Sequence, residues 1–496
     1  MRRRRGWVAI GVAAVLALAV WAWRRSIPDG FVVEVRARDD GTALAVLRHN
    51  EDSGPARYWL VLLGRDGDAR GWAALDAEIE TSSGSPTLAL DGDVVMVRGI
   101  AAGRDVVEAY ALPSLTPGWR TDLGAAPGRL VPDLGLYLAG EQLYAPRDLG
   151  DGDGQAAGSV VVALDPASGA ERWRAELPVE VMGVSAPRII GASVVFVAGG
   201  GSVALERETG SVVRRFDLGG LACASSTGRV ASMSAEGFVE AVPGSSDRLL
   251  LPRAEIQAHA PDGVGAGHRC GSRDGRHVFT PISFAWTGLV GVDEAGTRPA
   301  WWLTLPSLNF QEIVQGRPTF RWPEQTPLTG SLTRYVPFVV EPAEPVDEPT
   351  GTPCFLAVAD LDAHRLVSLS AGSPMLLHYG IVTVDGRHYV ATSSEIAVVD
   401  GATGELGAAV HVEGWNREWV APTVVAGGRL WLVGSDWAGV HELPVAILDA
   451  TTLAPITVRG EISVAQNLDA ARARLLGPAP PEAPPGTLGS SPAAMP

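Results

Sequence analysis

A strand–turn–strand unit that returns throughout the chain constrains its fold more than any other feature. Its clearest copy is VVVALDPASGAERW, residues 160–173. Val161, Ala163 and Leu164 lead into Asp165, Ser168-Gly169 turns the chain, and Trp173 lies in the return strand. The frame returns at 202–216, 289–302 and 396–410, with turn anchors at Glu208, Asp293 and Asp400, glycines at Gly210, Gly296 and Gly404, and a second ring at Trp301. Less regular copies stand at 59–72, 108–119, 355–369 and 444–458, and a ninth stretch, 237–251, keeps only part of the pattern. Asp at a turn start accepts hydrogen bonds from N–H groups two residues on, and Gly supplies positive φ. Trp72, Trp119, Trp173 and Trp301 are expected to be buried beside these turns.

Neighbouring anchors are spaced on average by roughly 40 to 50 residues, the period of a four-stranded propeller blade. A β-helix needs shorter repeats, and an α-solenoid needs a 3.6-residue pattern that is nearly missing after Trp23. The motif resembles the PQQ-like repeat, apolar-x-apolar-Asp-x-x-Thr/Ser-Gly-x-x-x-Trp, over residues 31–460. That resemblance implies an all-β propeller of seven or eight blades. About 430 residues over eight blades is roughly 54 per blade. Insertions at 147–158 and in the Pro-rich stretch 318–353 account for the excess, so eight is preferred. VSAPRIIGASVVFVAG (184–199) and VAPTVVAGGRLWLVG (420–434) have the small, β-branched character expected of channel-lining strands, with Arg188 and Arg429 their only charges.

The N-terminus suggests the compartment. Arg2 to Arg5 precede Trp7–Trp23, 17 residues without a charge, and Arg24 and Arg25 close the run. As a helix this segment spans roughly 26 Å, near the lower limit for a bilayer. The excess of Arg on the near side places the N-terminus in the cytoplasm and the rest outside. A cleaved signal peptide is the competing reading; its cleavage site, Ala17-Leu18-Ala19, would fall inside the apolar run. The expected organisation is a cytoplasmic stub (1–6), a transmembrane helix (7–23), a linker (24–30), the propeller (31–476) and a disordered Pro/Ala-rich tail (477–496). The chain would be a single-pass protein of the bacterial cytoplasmic membrane, with its propeller in the periplasm or cell exterior.

Charge and composition exclude several functions. The chain carries 40 basic and 56 acidic residues, net −16, and every basic residue is Arg. Without Lys there is no Schiff-base chemistry and no P-loop lysine. So acidic a body repels nucleic acid, and no nucleic-acid partner is expected.

Among families with these repeats, the chain looks like the propeller subunit of the outer-membrane β-barrel assembly machinery. It departs from that lipoprotein in lacking a Cys to acylate near the apolar run. The resemblance implies a non-catalytic protein-binding scaffold in envelope or outer-membrane protein assembly, with no cofactor. The alternative is a quinoprotein-like dehydrogenase, or a ligand-binding sensor, on the same fold. Quinoproteins carry a vicinal Cys-Cys ring under the cofactor, whereas Cys223, Cys270 and Cys354 are far apart in sequence.

Two clusters are candidate metal sites. His259, His268, Cys270 and His277 fall within 19 residues, but their spacing matches no standard zinc motif, and a Gly-rich surface loop with ordinary histidines is the favoured reading. Asp148, Asp151 and Asp153 suggest a calcium loop, yet Val160 stands where an EF-hand needs Glu; a solvated insertion is the simpler reading. Cys223 and Cys270, one blade apart, are read either as a disulfide or as small buried hydrophobes.

Overall fold

The computed structural model describes residues 30–49, 56–79, 87–126, 135–150, 156–177, 187–198, 201–216, 223–224, 229–241, 247–259, 265–282, 288–304, 319–321, 324–325, 332–341, 355–369, 380–391, 395–413, 424–433, 436–437, 445–460 and 463–466. These residues form nine sheets, each built on four antiparallel strands. The blades span 30–75, 88–125, 137–177, 188–216, 223–252, 265–304, 319–369, 380–413 and 424–459. In chain order the strands of each blade are A, B, C and D. Among the described residues, A strands of neighbouring blades touch at four seams, between blades one and nine, two and three, five and six, and eight and nine, which places them at the axis and the D strands at the rim.

The propeller therefore has nine blades, not seven or eight. Each of the nine motif copies, including the irregular 237–251, is the C–D hairpin of one blade. The fourth and fifth blades use strands of only two to six residues, which shortens the repeat below the length assumed for eight. Much of the supposed insertion at 147–158 is strand, because B and C of the third blade run to Gly150 and from Ala156. The inner strands of 184–199 and 420–434 are only Arg188–Ile190 and Val424–Ala426.

The C–D turns follow the expected chemistry. Asp165 Oδ1 accepts from the N–H groups of Ala167 and Ser168 at 3.1 and 2.9 Å. Asp400 accepts from Ala402 and Thr403, and Asp449 from Thr451 and Thr452. In the fourth blade the anchor is Glu206, not Glu208: Gly210 N–H donates to Glu206 O, and Thr209 Oγ1 donates to Glu206 Oε2. Leu115, His364 and Leu453 hold the left-handed conformation that Gly takes elsewhere, at φ of 52–54°.

Apolar side chains fill the seams between blades. The ring closes where Val32, Val35, Ala45, Leu47, Val61 and Leu63 of the first blade meet Trp431, Val433, Val445 and Ile447 of the ninth. Burying each such side chain contributes about 1.5–3 kcal/mol over leaving it exposed. An Arg459–Asp68 ion pair and a bond from Arg429 to Arg65 O cross the same seam, so Arg429 sits at a turn junction. The two-residue strand Asp436–Trp437 also pairs with strand A of the first blade. The N-terminal run and the Pro/Ala-rich tail lie outside the described residues. Among those described, no helix is long and apolar enough to cross a membrane.

Candidate interaction face

Antiparallel order sorts the connections. A–B and C–D turns lie on one face, and B–C turns and the links to the next blade lie on the other. The first face is mostly tight turns, apart from the 322–334 connection of the seventh blade. The second face carries the long connections 342–354, 434–444, 305–318, 370–379 and 414–423. The face from which the longer connections leave a rigid ring is where a propeller places recognition.

The turn face is held by latches between blades. Trp119 Nε1 donates to Pro166 O of the next blade at 3.1 Å, and Trp173 Nε1 to Arg207 O at 2.8 Å. Each ring lies over the turn glycine: a Cβ on Gly169 would come within 2.3 Å of Trp119, and one on Gly210 within 2.5 Å of Trp173. Trp301 lies over Gly291 of its own blade and stacks on His364 of the next, with centroids 4.5 Å apart. Trp173 and Trp301 are buried; Trp119 is half-buried.

Trp72 departs from the expected dock. The turn of its hairpin, closed from Gly64 N to Asp68 O, is one residue shorter than that from Asp165 N to Ala170 O in the third blade. Gly71 therefore takes the register place of Trp173, and Trp72, paired with Val61, lies one residue along and on the opposite face. It meets Trp59 edge-on and packs on the seam with the ninth blade.

Under the loop face, the second and third blades share a buried ionic cluster. Asp105 receives Arg98 through two bonds of 3.0 and 2.8 Å, and both side chains are fully buried. Arg98 also donates to Gly135 O and Pro146 O, each at 2.6 Å. Arg147 reaches Leu123 O and Ala125 O, with its Nε 3.8 Å from Asp105. Sequence reading missed this cluster; its signal is an Arg inside the apolar run VVMVRGIA.

Several turn and seam acids are engaged in holding the ring. Hydrogen bonds from Arg172, then Ser168, bring Asp165 down to about 2. Burial pushes Asp293 and Asp360 up, but donors from Thr297 and Arg298, and from Arg334 with the turn N–H groups, outweigh it and hold each at about 2. Glu240 is paired with Arg229 and Arg248.

The metal candidates are scattered. His259 ends a short helix, Arg253–His259, and stacks on Trp302, whereas His277 is buried against Phe238. The side chains of His268, Cys270 and Asp148, and all of Asp151 and Asp153, lie outside the described residues. Among those described, no three His, Cys, Asp or Glu side chains are placed to hold a metal ion. Cys223 and Cys270 stand on the A strands of neighbouring blades; their side chains, and Cys354, lie outside the description. No two of the three cysteines are adjacent in the sequence.

Residues 103–255 and 156–314 match a family model described as outer membrane protein assembly factor BamB. No curated protein matches the chain. Solved structures with a similar fold include BamB from Moraxella catarrhalis, at 13% identity and TM-score 0.44, covering 83% of this chain and 95% of that one. A eukaryotic initiation factor is 10% identical with TM-score 0.47, covering 85% and 96%. The quinohemoprotein alcohol dehydrogenase ADHIIG from Pseudomonas putida HK5 is 12% identical with TM-score 0.42, covering 83% and 73%. The chain is a β-propeller of PQQ-like repeats.

Proposed function

We propose that this propeller is a non-catalytic protein-binding scaffold, anchored in the cytoplasmic membrane through residues 7–23 and working outside the cytoplasm in envelope protein assembly. The observation that carries the reading is the match of blades two to six to the BamB family model. Two features support it. Long connections gather on one face of a ring, which suits recognition of another protein. The described acids that could serve catalysis are committed instead to turns and seams, as Asp105, Asp165, Asp293, Asp360 and Glu240 show. The arginine imbalance around 7–23 supports the anchor and its orientation.

Isothermal calorimetry of the purified chain with pyrroloquinoline quinone and Ca²⁺ tests the reading against the quinoprotein alternative. The expected result is no binding heat. Micromolar affinity for the quinone would restore the enzyme.

A further inference from the structure

Two blades carry the same four residues at the same register. Asp274-Gly275-Arg276-His277 opens strand B of the sixth blade, and Asp385-Gly386-Arg387-His388 opens strand B of the eighth. In both, Asp and Gly have positive φ, the geometry of a tight hairpin turn. Both histidines are buried.

Their surroundings differ in one respect. His388 is ringed by oxygens: its Nδ1 lies 2.8 Å from Thr383 Oγ1, and its Nε2 lies 2.7 Å from Thr333 Oγ1 and 2.9 Å from Tyr335 O. A doubly protonated ring there has an acceptor for each N–H. His277 is fully buried and neither ring nitrogen has a hydrogen-bond partner. Ser272 stands opposite it where Thr383 stands opposite His388, yet no hydrogen bond joins Ser272 to the ring. Phe238 of the fifth blade meets the ring edge-on at 5.5 Å and stacks on Phe279 at 4.7 Å.

We propose that the seam between the fifth and sixth blades is a proton-operated joint: it closes around neutral His277 and opens when that ring is protonated, while the seam at His388 stays shut. Opening would uncover the apolar cluster of Ala231, Met233, Phe238, Phe279, Val290 and Val292.

The charges around the ring do not rescue the cation. Glu240, from strand C of the fifth blade, is already paired with Arg229 and Arg248, and Arg248 itself opposes a second positive charge. Asp293, on the sixth blade's strand C beside Glu294, is bound by Arg298. Arg276, next to the ring on its own strand, lies on the other face of the sheet and bonds Pro299 O. Burial, more than any of these, pushes His277 down to about 4. Burial pushes His388 down to about 4 too, but there Tyr335 O and the two threonine hydroxyls accept from the charged ring and oppose it, an opposition His277 lacks. An unfolded or opened chain binds this proton near the ordinary histidine value, so the closed seam loses stability as pH falls through 6.5 toward 4.

Hydrogen exchange of the full chain, corrected for intrinsic rates, is the test. Between pH 6.5 and 4.5, peptides covering 230–240 and 276–282 are expected to lose protection by roughly tenfold or more. Those covering 335–341 and 387–391 should change little. His277→Phe and, as a second apolar variant, His277→Leu should abolish the loss, and His388→Leu should leave it in place. Unchanged protection in the natural chain, an undiminished loss in a folded His277 variant, or equal opening of both seams would overturn the proposal.

Discussion

Trp173 and Gly210 form one contact from two blades, since the indole occupies the space a Cβ at Gly210 would need. Trp173→Ala removes a buried aromatic and should cost about 3–5 kcal/mol. Gly210→Ala strains a residue at φ 71° and pushes into that ring, so it too should lower the urea midpoint. Trp72→Ala should lower it less, because that ring is only half-buried. Acid should act on the turns. The folded values of Asp165, Asp293 and Asp360 lie below the unfolded one, so their stabilisation is present above pH 3.8 and is lost as pH falls toward about 2. Melting scans of Asp360→Asn, relative to the natural chain, should show a shallower loss in that window. Asp165, Gly169 and Trp173 were legible because their spacing is the repeat itself. Trp72 was not, because a turn one residue shorter than that of the third blade moves it one place along its strand and so to the other face. The anchor placed at Glu208 slipped by two residues: both glutamates suit a turn, but Glu206 stands four residues before Gly210, as Asp165 and Asp400 do before their glycines, and it makes the turn bonds to Gly210 and Thr209.

Single elements seal the ring in places the repeat does not reach. Ser463–Gln466 adds a fifth strand to the outer edge of the eighth blade, pairing with Val410–Glu413, and Val464 packs on that blade's core. A chain ending at Arg459 should expose this edge. The expected outcome is faster hydrogen exchange across 406–413 and a greater tendency to associate, as uncovered edges do. Unchanged exchange there would show that the strand contributes nothing to the blade. This element was not legible, because SVAQ is too short to carry a period. The fifth blade was half legible: its C–D hairpin at 237–251 carries a blurred motif, while its inner strand is only Cys223–Ala224.

At the scale of the molecule, all-β architecture and blade order were readable from the turns, and the blade count was not. Dividing length by an expected number gave eight, whereas the nine motif copies correspond to nine hairpins. Closure was equally hidden. The ring joins through packed side chains of the first and ninth blades and through the two-residue strand Asp436–Trp437 laid on strand A of the first, so no motif marks it. The proposed scaffold would bind its partner through the face with long connections. The most direct test places a photo-crosslinking amino acid at Ala102, exposed in a B–C turn on that face, and separately at Ala402, exposed on the turn face, in membranes of the native host. The account expects a discrete protein adduct from position 102 and none from 402. Adducts from 402 alone, or from neither position, would contradict it.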